Sequence, residues 1–432
     1  MNRSTIPALF AVAVFLLYST SFAQVSQDTV KLALPEAEAK FIAANMQLLA
    51  AKYNISAVRA GELQAKLWNN PTLSIGQNIY NRGTKRFLDF TKTGNTDISV
   101  QQLFLLAGKR DKQIRLAEIS TKMSEQNYQS LIRALKHELH TDFYDLYYLQ
   151  LQLQFYDENI PRLKTTLASL EILYGNRSLL LSELLRLKAL LISLESNKLD
   201  VLNKITQLEN DLAVLLSESR TATAYYVPQP DPSYLTKATL PSISLEQLTD
   251  MAMKNRPDLA LSELAIAWET HNLSYQKSLA VPDVSLGASY SRSGSYVNDY
   301  LGVNVQVDLP FFNRNQGAIE ASQNTLEADK LSYAASRLSV QKEVAEAWSK
   351  ATDAQNYFQS MDQSFLAQYK TLIDGMIASY QQRNLTVIEF TDFYESYRSA
   401  IMQLYQLENN RIDAFEDLSY ITGDDQVIRA KK

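Results

Sequence analysis

The sequence predicts a mainly α protein with a small β part, organised as two helix-strand-strand-helix repeats. Three observations carry that prediction. Glycine is scarce, 12 of 432 residues, against a usual ~7%, so the chain has little of the punctuation that ends helices. Long stretches nearly lack Gly and Pro: from Lys109 to Ser219 there are only Gly175 and Pro161, and from Ala318 to Thr422 only Gly375. Finally, two patterns recur in the same order, half a chain apart. Tyr174-Gly-Asn-Arg177-Ser-Leu179 with Glu183 returns as Tyr380-Gln-Gln-Arg383-Asn-Leu385 with Glu389, and Asn70-Pro71-Thr-Leu-Ser74-Ile-Gly76 returns as Val281-Pro282-Asp-Val-Ser285-Leu-Gly287.

Residues 1–23 read as a signal peptide. Arg3 supplies the positive region, Ala8 to Leu17 the apolar run, and Ser21-Phe22-Ala23 the small-x-small cleavage pattern, which puts the mature start at Gln24. The run is shorter than the ~20 residues that span a bilayer as a helix, which argues against an uncleaved anchor. No later stretch approaches ~18 consecutive apolar residues, so the mature chain is expected to be soluble or to cross a membrane as β-strands.

The first repeat is expected over residues 24–219, with strands at about 71–105. Leu73, Ile75 and Ile79 alternate with Ser74, Gly76 and Asn78, and Ile98 and Val100 with Asp97, Ser99 and Gln101. A helix from Lys109 to Leu173 would be roughly 100 Å long at ~1.5 Å per residue. Such a rod needs lateral partners, and Pro161 should kink or interrupt it. The Tyr174 and Tyr380 patterns mark places where one helix reverses into the next. Leu184, Leu187, Leu191, Leu194, Val201, Ile205, Leu208, Leu212 and Leu215 recur three, four or seven apart, the spacing of a packed seam. Pro228, Pro230, Pro232 and Pro241 mark a non-helical linker at 220–244. The second repeat is expected over 245–422, with strands at about 282–309 whose alternation is strict: Leu301, Val303, Val305, Val307 and Leu309 face one way, Gly302, Asn304, Gln306 and Asp308 the other. Val284, Leu286, Ala288 and Tyr290 repeat the pattern, which makes a hairpin with its turn near Ser293 to Asn298. Eight of the 12 glycines fall within residues 71–108 and 282–317, and residues 423–432 are left as a tail.

The composition removes several function classes. A net charge of −5 gives no basic surplus for nucleic acid. Absence of Cys excludes disulfides, thiolate metal sites and a cysteine nucleophile, and three His leave little imidazole chemistry. No enzyme activity, cofactor or metal site is expected. His137-Glu-Leu-His140 has a spacing of three where the zinc helix motif needs four, and reads as a solvated or packed helix face. Asn313-Arg-Asn-Gln-Gly317 reads as a turn leading into a helix. Four strands per chain cannot close a barrel in lipid, because open edges leave backbone groups unpaired and the smallest closed barrels have about eight strands. Closure would need other chains: two would give eight strands, three would give twelve.

The stretches Asn255-Arg-Pro257-Asp-Leu259, Val281-Pro-Asp-Val-Ser-Leu-Gly287, Leu309-Pro-Phe-Phe-Asn-Arg-Asn-Gln-Gly317 and Gln102-Leu-Phe-Leu-Leu-Ala-Gly-Lys-Arg110 together resemble the recurrent segments of the TolC-like outer-membrane efflux protein family, in order along the mature chain. Asn313 to Gly317 is similar to that family's heavy-metal efflux branch. The resemblance implies a homotrimer in which each chain's four strands complete a 12-stranded β-barrel in outer-membrane lipid, continued by a long α-helical barrel across the periplasm. It implies an exit duct docked through a periplasmic adaptor protein onto an inner-membrane RND-type pump, carrying small molecules or metal cations. In the family, a Tyr and two acidic residues follow the turn into the final helix at the narrow periplasmic tip. These fall on Tyr380, Glu389 and Asp392. The Arg that latches the tip in the best-studied members falls on Leu385, with Arg383 two residues earlier. Six carboxylates around a trimeric opening would favour cations. The alternatives are an exit channel for type I protein secretion and a soluble periplasmic helical scaffold without a pore.

Overall fold

The computed structural model describes residues 28–218, 224–240, 242–293, 297–361, 364–424 and 428–430; the expected signal peptide, part of the tail and the centre of the second hairpin turn lie outside the described residues. The chain starts with β1 (Asp28–Leu32), α1 (Leu34–Ala44) and α2 (Met46–Lys66). The two helices are separated by Asn45, whose side chain accepts from Leu48 N at 3.0 Å while its amide donates to Leu215 O at 2.8 Å. Strand β2 (Thr72–Gln77) leads into a loop carrying the short hairpin β3 (Tyr80–Asn81) and β4 (Arg86–Phe87), and β5 (Thr96–Phe104) returns. Then come α3 (Lys109–Gly175), α4 (Leu181–Leu215), β6 (Ala224–Pro228), α5 (Pro232–Lys237) and β7 (Ala238–Thr239). The second half repeats the order with α6 (Leu245–Asn255), α7 (Pro257–Leu279), β8 (Val284–Ser293), β9 (Asn298–Val307), α8 (Gln316–Ser360), α9 (Phe365–Gln381), α10 (Val387–Thr422) and a terminal β10 (Arg429–Ala430).

The 67 residues of α3 make a rod about 100 Å long. Of the two outcomes expected at Pro161, a kink or an interruption, the interruption does not occur: the helix runs through it. One lost backbone bond costs little against the packing of Phe155, Tyr156, Ile160 and Leu163, all buried around it. The opposite correction applies to the second repeat. No Gly or Pro precedes it, yet α8 ends at Ser360, with Met361 extended at φ −71°, ψ 138°. The last turns of α8 are held sideways: the buried Arg411 guanidinium lies 3.8 Å from the Phe358 ring centre and its Nη1 donates to Gln355 Oε1 at 3.4 Å.

The linker is also more ordered than its prolines suggest. Pro232 sits in the first turn of α5, where its missing N–H is no loss, and Asp231 caps that helix through Ser233 N. Strand β6 pairs parallel with β1, and β7 pairs antiparallel with β10, so the middle of the chain is bound to both its ends. Along α4 the buried stripe is Leu184, Leu187, Leu190, Leu194, Val201, Ile205, Leu212 and Leu215; Leu191 and Leu208 pack against it half-buried.

Strands β2, β5, β8 and β9 form one antiparallel sheet in that order. The two repeats meet at its centre, where Ile98 opposes Tyr290 and Val100 opposes Ala288. The outer edges of β2 and β9 are unpaired in the single chain. No helix among the described residues is long and apolar enough to cross a membrane.

Candidate functional site

Register converts the alternation of each strand into two faces of one sheet. Leu73, Val100, Ala288 and Val303 form one cross-strand row, and Ile75, Ile98, Tyr290 and Leu301 the next. Val305 and Leu286 continue this face, which is open to the surroundings: Leu301 is 77% and Val303 85% exposed. The other face carries Ser74, Ser99, Ser289 and Gly302 in one row and Thr72, Gln101, Gly287 and Asn304 in another. Polar side chains bond along it, Gln101 Nε2 to Gln306 Oε1 at 3.1 Å and Ser289 Oγ to Asn304 Oδ1 at 3.2 Å. The sheet thus has one exposed hydrocarbon face, one hydrogen-bonding face and two edges, β2 and β9, that no other strand among the described residues covers.

At the foot of the sheet the recurrent motifs meet one another. Lys109, at the start of α3, is buried; its Nζ donates to Val281 O at 2.7 Å and pairs with Asp283 Oδ1 at 2.6 Å, while Leu106 N donates to the same carboxylate at 2.9 Å. Both long helices start from a left-handed residue, Gly108 at φ 66° and Asn315 at φ 59°. Asn315 Nδ2 reaches Gln276 O at 2.9 Å, so Asn313 to Gly317 is a turn into α8, its first residue bordering the cavity beside Lys109 and Asp283. Within Asn255-Arg-Pro-Asp, Arg256 makes a forked pair with Asp258 at 3.1 and 2.7 Å and a further one with Glu343 at 2.5 Å.

At the far end of the helices the two Tyr-x-x-Arg patterns form the same turn twice. Arg177 and Arg383 are both left-handed, at φ 58° and 60°. Arg177 N donates to Tyr174 O and Ser178 N to Leu173 O; Arg383 N donates to Tyr380 O and Asn384 N to Ser379 O. Arg383 Nη2 also donates across to Ser178 O at 3.0 Å, tying one turn to the other. Tyr380 is turned inward, 4% exposed, with its ring stacked on Phe390 at 4.5 Å. Burial, then the Glu183 carboxylate, pushes its phenol up to about 12. Glu389 and Asp392 are exposed on one face of α10. Glu389 closes a capping box with Thr386: its Oε2 accepts from Thr386 N at 2.9 Å, and its own N donates to Thr386 Oγ1 at 3.2 Å. Those bonds hold its carboxyl below the usual range. In the first repeat the equivalent position is Leu180, which cannot cap.

Sequence reasoning missed a polar clasp midway along the helices. His140 lies between Glu38 Oε1 at 2.6 Å and Glu416 Oε2 at 2.7 Å, and Tyr234 Oη donates to Glu416 Oε1 at 2.7 Å. Although burial opposes the charge, the two carboxylates raise His140 to about 9. His137 pairs with Asp417 at 2.8 Å. The His-x-x-His spacing was visible in the sequence, but the carboxylates that use it come from α1 and α10. Nearby, burial raises Asp142 to about 7, helped by the Glu138, Asp211 and Asp145 carboxylates, and Asp413 to about 8, helped by Asp145, Asp417 and Glu416. Among the described residues no group of three or more His, Asp or Glu side chains could hold a metal ion.

Residues 248–424 match the sequence profile of the outer membrane efflux protein family. No curated protein matches the chain by sequence. Among solved structures the chain is similar to the transmembrane channel CusC (17% identity, 90% of this chain and 92% of that one, TM-score 0.71). It is also similar to the outer membrane protein VceC of Vibrio cholerae (17%, 90% and 96%, TM-score 0.70) and to the MtrE outer membrane channel of Neisseria gonorrhoeae (15%, 90% and 89%, TM-score 0.68). At these identities the likeness is one of fold.

Proposed function

We propose that the chain is a TolC-like outer-membrane efflux protein, a reading supported by the family match over residues 248–424 and by the shared fold, and that three copies form the exit duct of a tripartite efflux system. The observation that carries the reading is the four-stranded sheet with an exposed apolar face and two open edges. Each of its Leu, Ile and Val side chains moved from water into hydrocarbon contributes about 1.5–3 kcal/mol. Each unpaired edge group left in lipid costs several kcal/mol, so the edges must pair with neighbouring copies. Three copies supply twelve strands, and the polar rows then line a water-filled lumen. The long helices, packed laterally, continue the duct through the periplasm to the adaptor and an RND-type pump. Small molecules or metal cations pass along it.

At the tip, Glu389 and Asp392 from three copies put six carboxylates around the opening, which favours cations in the entrance. Tyr380 acts from behind them, packing the turn that aims α10, and Arg383 holds the two turns together. Purified protein in planar bilayers tests the whole reading. It should be a detergent-requiring trimer that conducts; a monomeric, water-soluble rod without conductance overturns it. Glu389→Gln with Asp392→Asn should reduce cation selectivity in a salt gradient, and an unchanged reversal potential removes the carboxylate role.

A further inference from the structure

The loop between β2 and β5, at the end of the sheet opposite the helices, is built around one carboxylate. Asp89 accepts from Thr84 Oγ1 at 2.8 Å, from Thr91 N at 3.1 Å and Oγ1 at 2.5 Å, from Thr93 Oγ1 at 3.2 Å and from Asn81 Nδ2 at 3.2 Å. These bonds hold its carboxyl down at about 2, so it stays ionised. Gly94 packs on the Asp89 carbonyl so closely that a Cβ there would lie 1.5 Å from the oxygen. The knot therefore spends its only negative charge internally, on hydroxyls and amides. Residues 78–95 also carry Arg82, Lys85, Arg86 and Lys92, all exposed, with no carboxylate partner among the described residues.

Between these cations stand apolar side chains that water does not favour. Ile79, Phe87, Leu88 and Phe90 are each more than half exposed, and the Tyr80 ring lies tilted against Phe87 with centroids 4.9 Å apart. They lie beyond the row Ile75, Ile98, Tyr290 and Leu301, past one polar pair, Gln77 and Thr96, at this end of the sheet. A soluble polyanion would use the four charges and leave the apolar groups in water. A lipid surface uses both: aromatic rings sit at headgroup level, and Lys and Arg extend to the phosphates.

We infer that this loop binds phosphate-bearing headgroups of anionic lipids in the leaflet at the outer end of the barrel, with Arg82, Lys85, Arg86 and Lys92 as the phosphate ligands. The inference rests on the membrane reading above. It is tested on full-length trimer in nanodiscs of phosphatidylcholine containing a minor fraction of phosphatidylglycerol, by native mass spectrometry of the lipids retained. Wild type should enrich the anionic lipid. The variant R82Q/K85Q/R86Q/K92Q should lose at least about fivefold of that enrichment, the equivalent of about 1 kcal/mol for a single cation. R82K/R86K should keep it, which controls for folding of the loop, and inorganic phosphate at millimolar concentration should not displace the lipid. Equal enrichment in wild type and the quadruple variant overturns the inference while conductance leaves the channel reading standing. Failure to enter a bilayer overturns both. Binding of a soluble polyphosphate without lipid enrichment overturns the lipid assignment in favour of a soluble acidic partner.

Discussion

Strands β2 and β9 are the two edges of the sheet, separated by β5 and β8. Three interstrand steps of about 4.8 Å place those edges roughly 14 Å apart within one chain. A disulfide needs Cα atoms within about 7 Å. A cysteine on β2 therefore cannot reach one on β9 of the same chain, whereas in a closed ring it lies beside β9 of the neighbour. The natural chain has no Cys, so the background is clean. The perturbation is Ser74→Cys on the polar face of β2, combined in turn with Tyr300→Cys, Asn304→Cys or Gln306→Cys on the same face of β9, to scan the register between copies. Ser99→Cys with Ser289→Cys, directly opposed in register, is the internal control and should bridge within the chain. After oxidation in outer-membrane fractions, non-reducing gels should show covalent dimer and trimer for the pair in register, no ladder for single variants, and nothing above three. Monomer for every pair, an internal β2 to β9 bridge, or a ladder continuing past three would refute the reasoning, the last because an open chain of copies never closes a barrel.

Three other outcomes are expected. His140 is raised in the folded chain from 6.5 to about 9, so its contribution is complete below about pH 6.5 and is lost as pH climbs through 9. It amounts to about 3 kcal/mol at most, and His140→Asn should flatten the alkaline fall of the thermal midpoint; a parallel fall in both proteins would exclude the clasp. Thr386→Ala removes the cap of α10 and should cost about 1 kcal/mol in denaturant, while Glu389→Gln, which can still close the box, should cost little, so that stability and ion selectivity separate. Arg177→Gly relieves a left-handed residue and should stabilise by about 1 kcal/mol. Arg383→Gly should gain less because it also removes the bond to Ser178, and equal gains by thermal unfolding would show that this tie carries no weight.

The parts of the molecule legible in the sequence are those set by local periodicity. Alternation along β8 and β9 determines their faces because successive strand side chains point oppositely whatever the partner. Scarcity of Gly and Pro determines long helices, and the twin Tyr-x-x-Arg patterns determine twin turns, since the same backbone bonds recur with the same residues. What only the tertiary structure decided depends on groups distant in the chain. Pro161 passes unbroken because its surroundings are packed, and the last turns of α8 are packed by Arg411 from the final helix. His140 is charged because Glu38 and Glu416 arrive from other helices, and Tyr380 stacks inward because Phe390 lies opposite. Periodicity is a property of neighbours a few residues apart; burial, ion pairing and pKa are properties of whatever the fold brings within a few ångströms, and no window of sequence contains them.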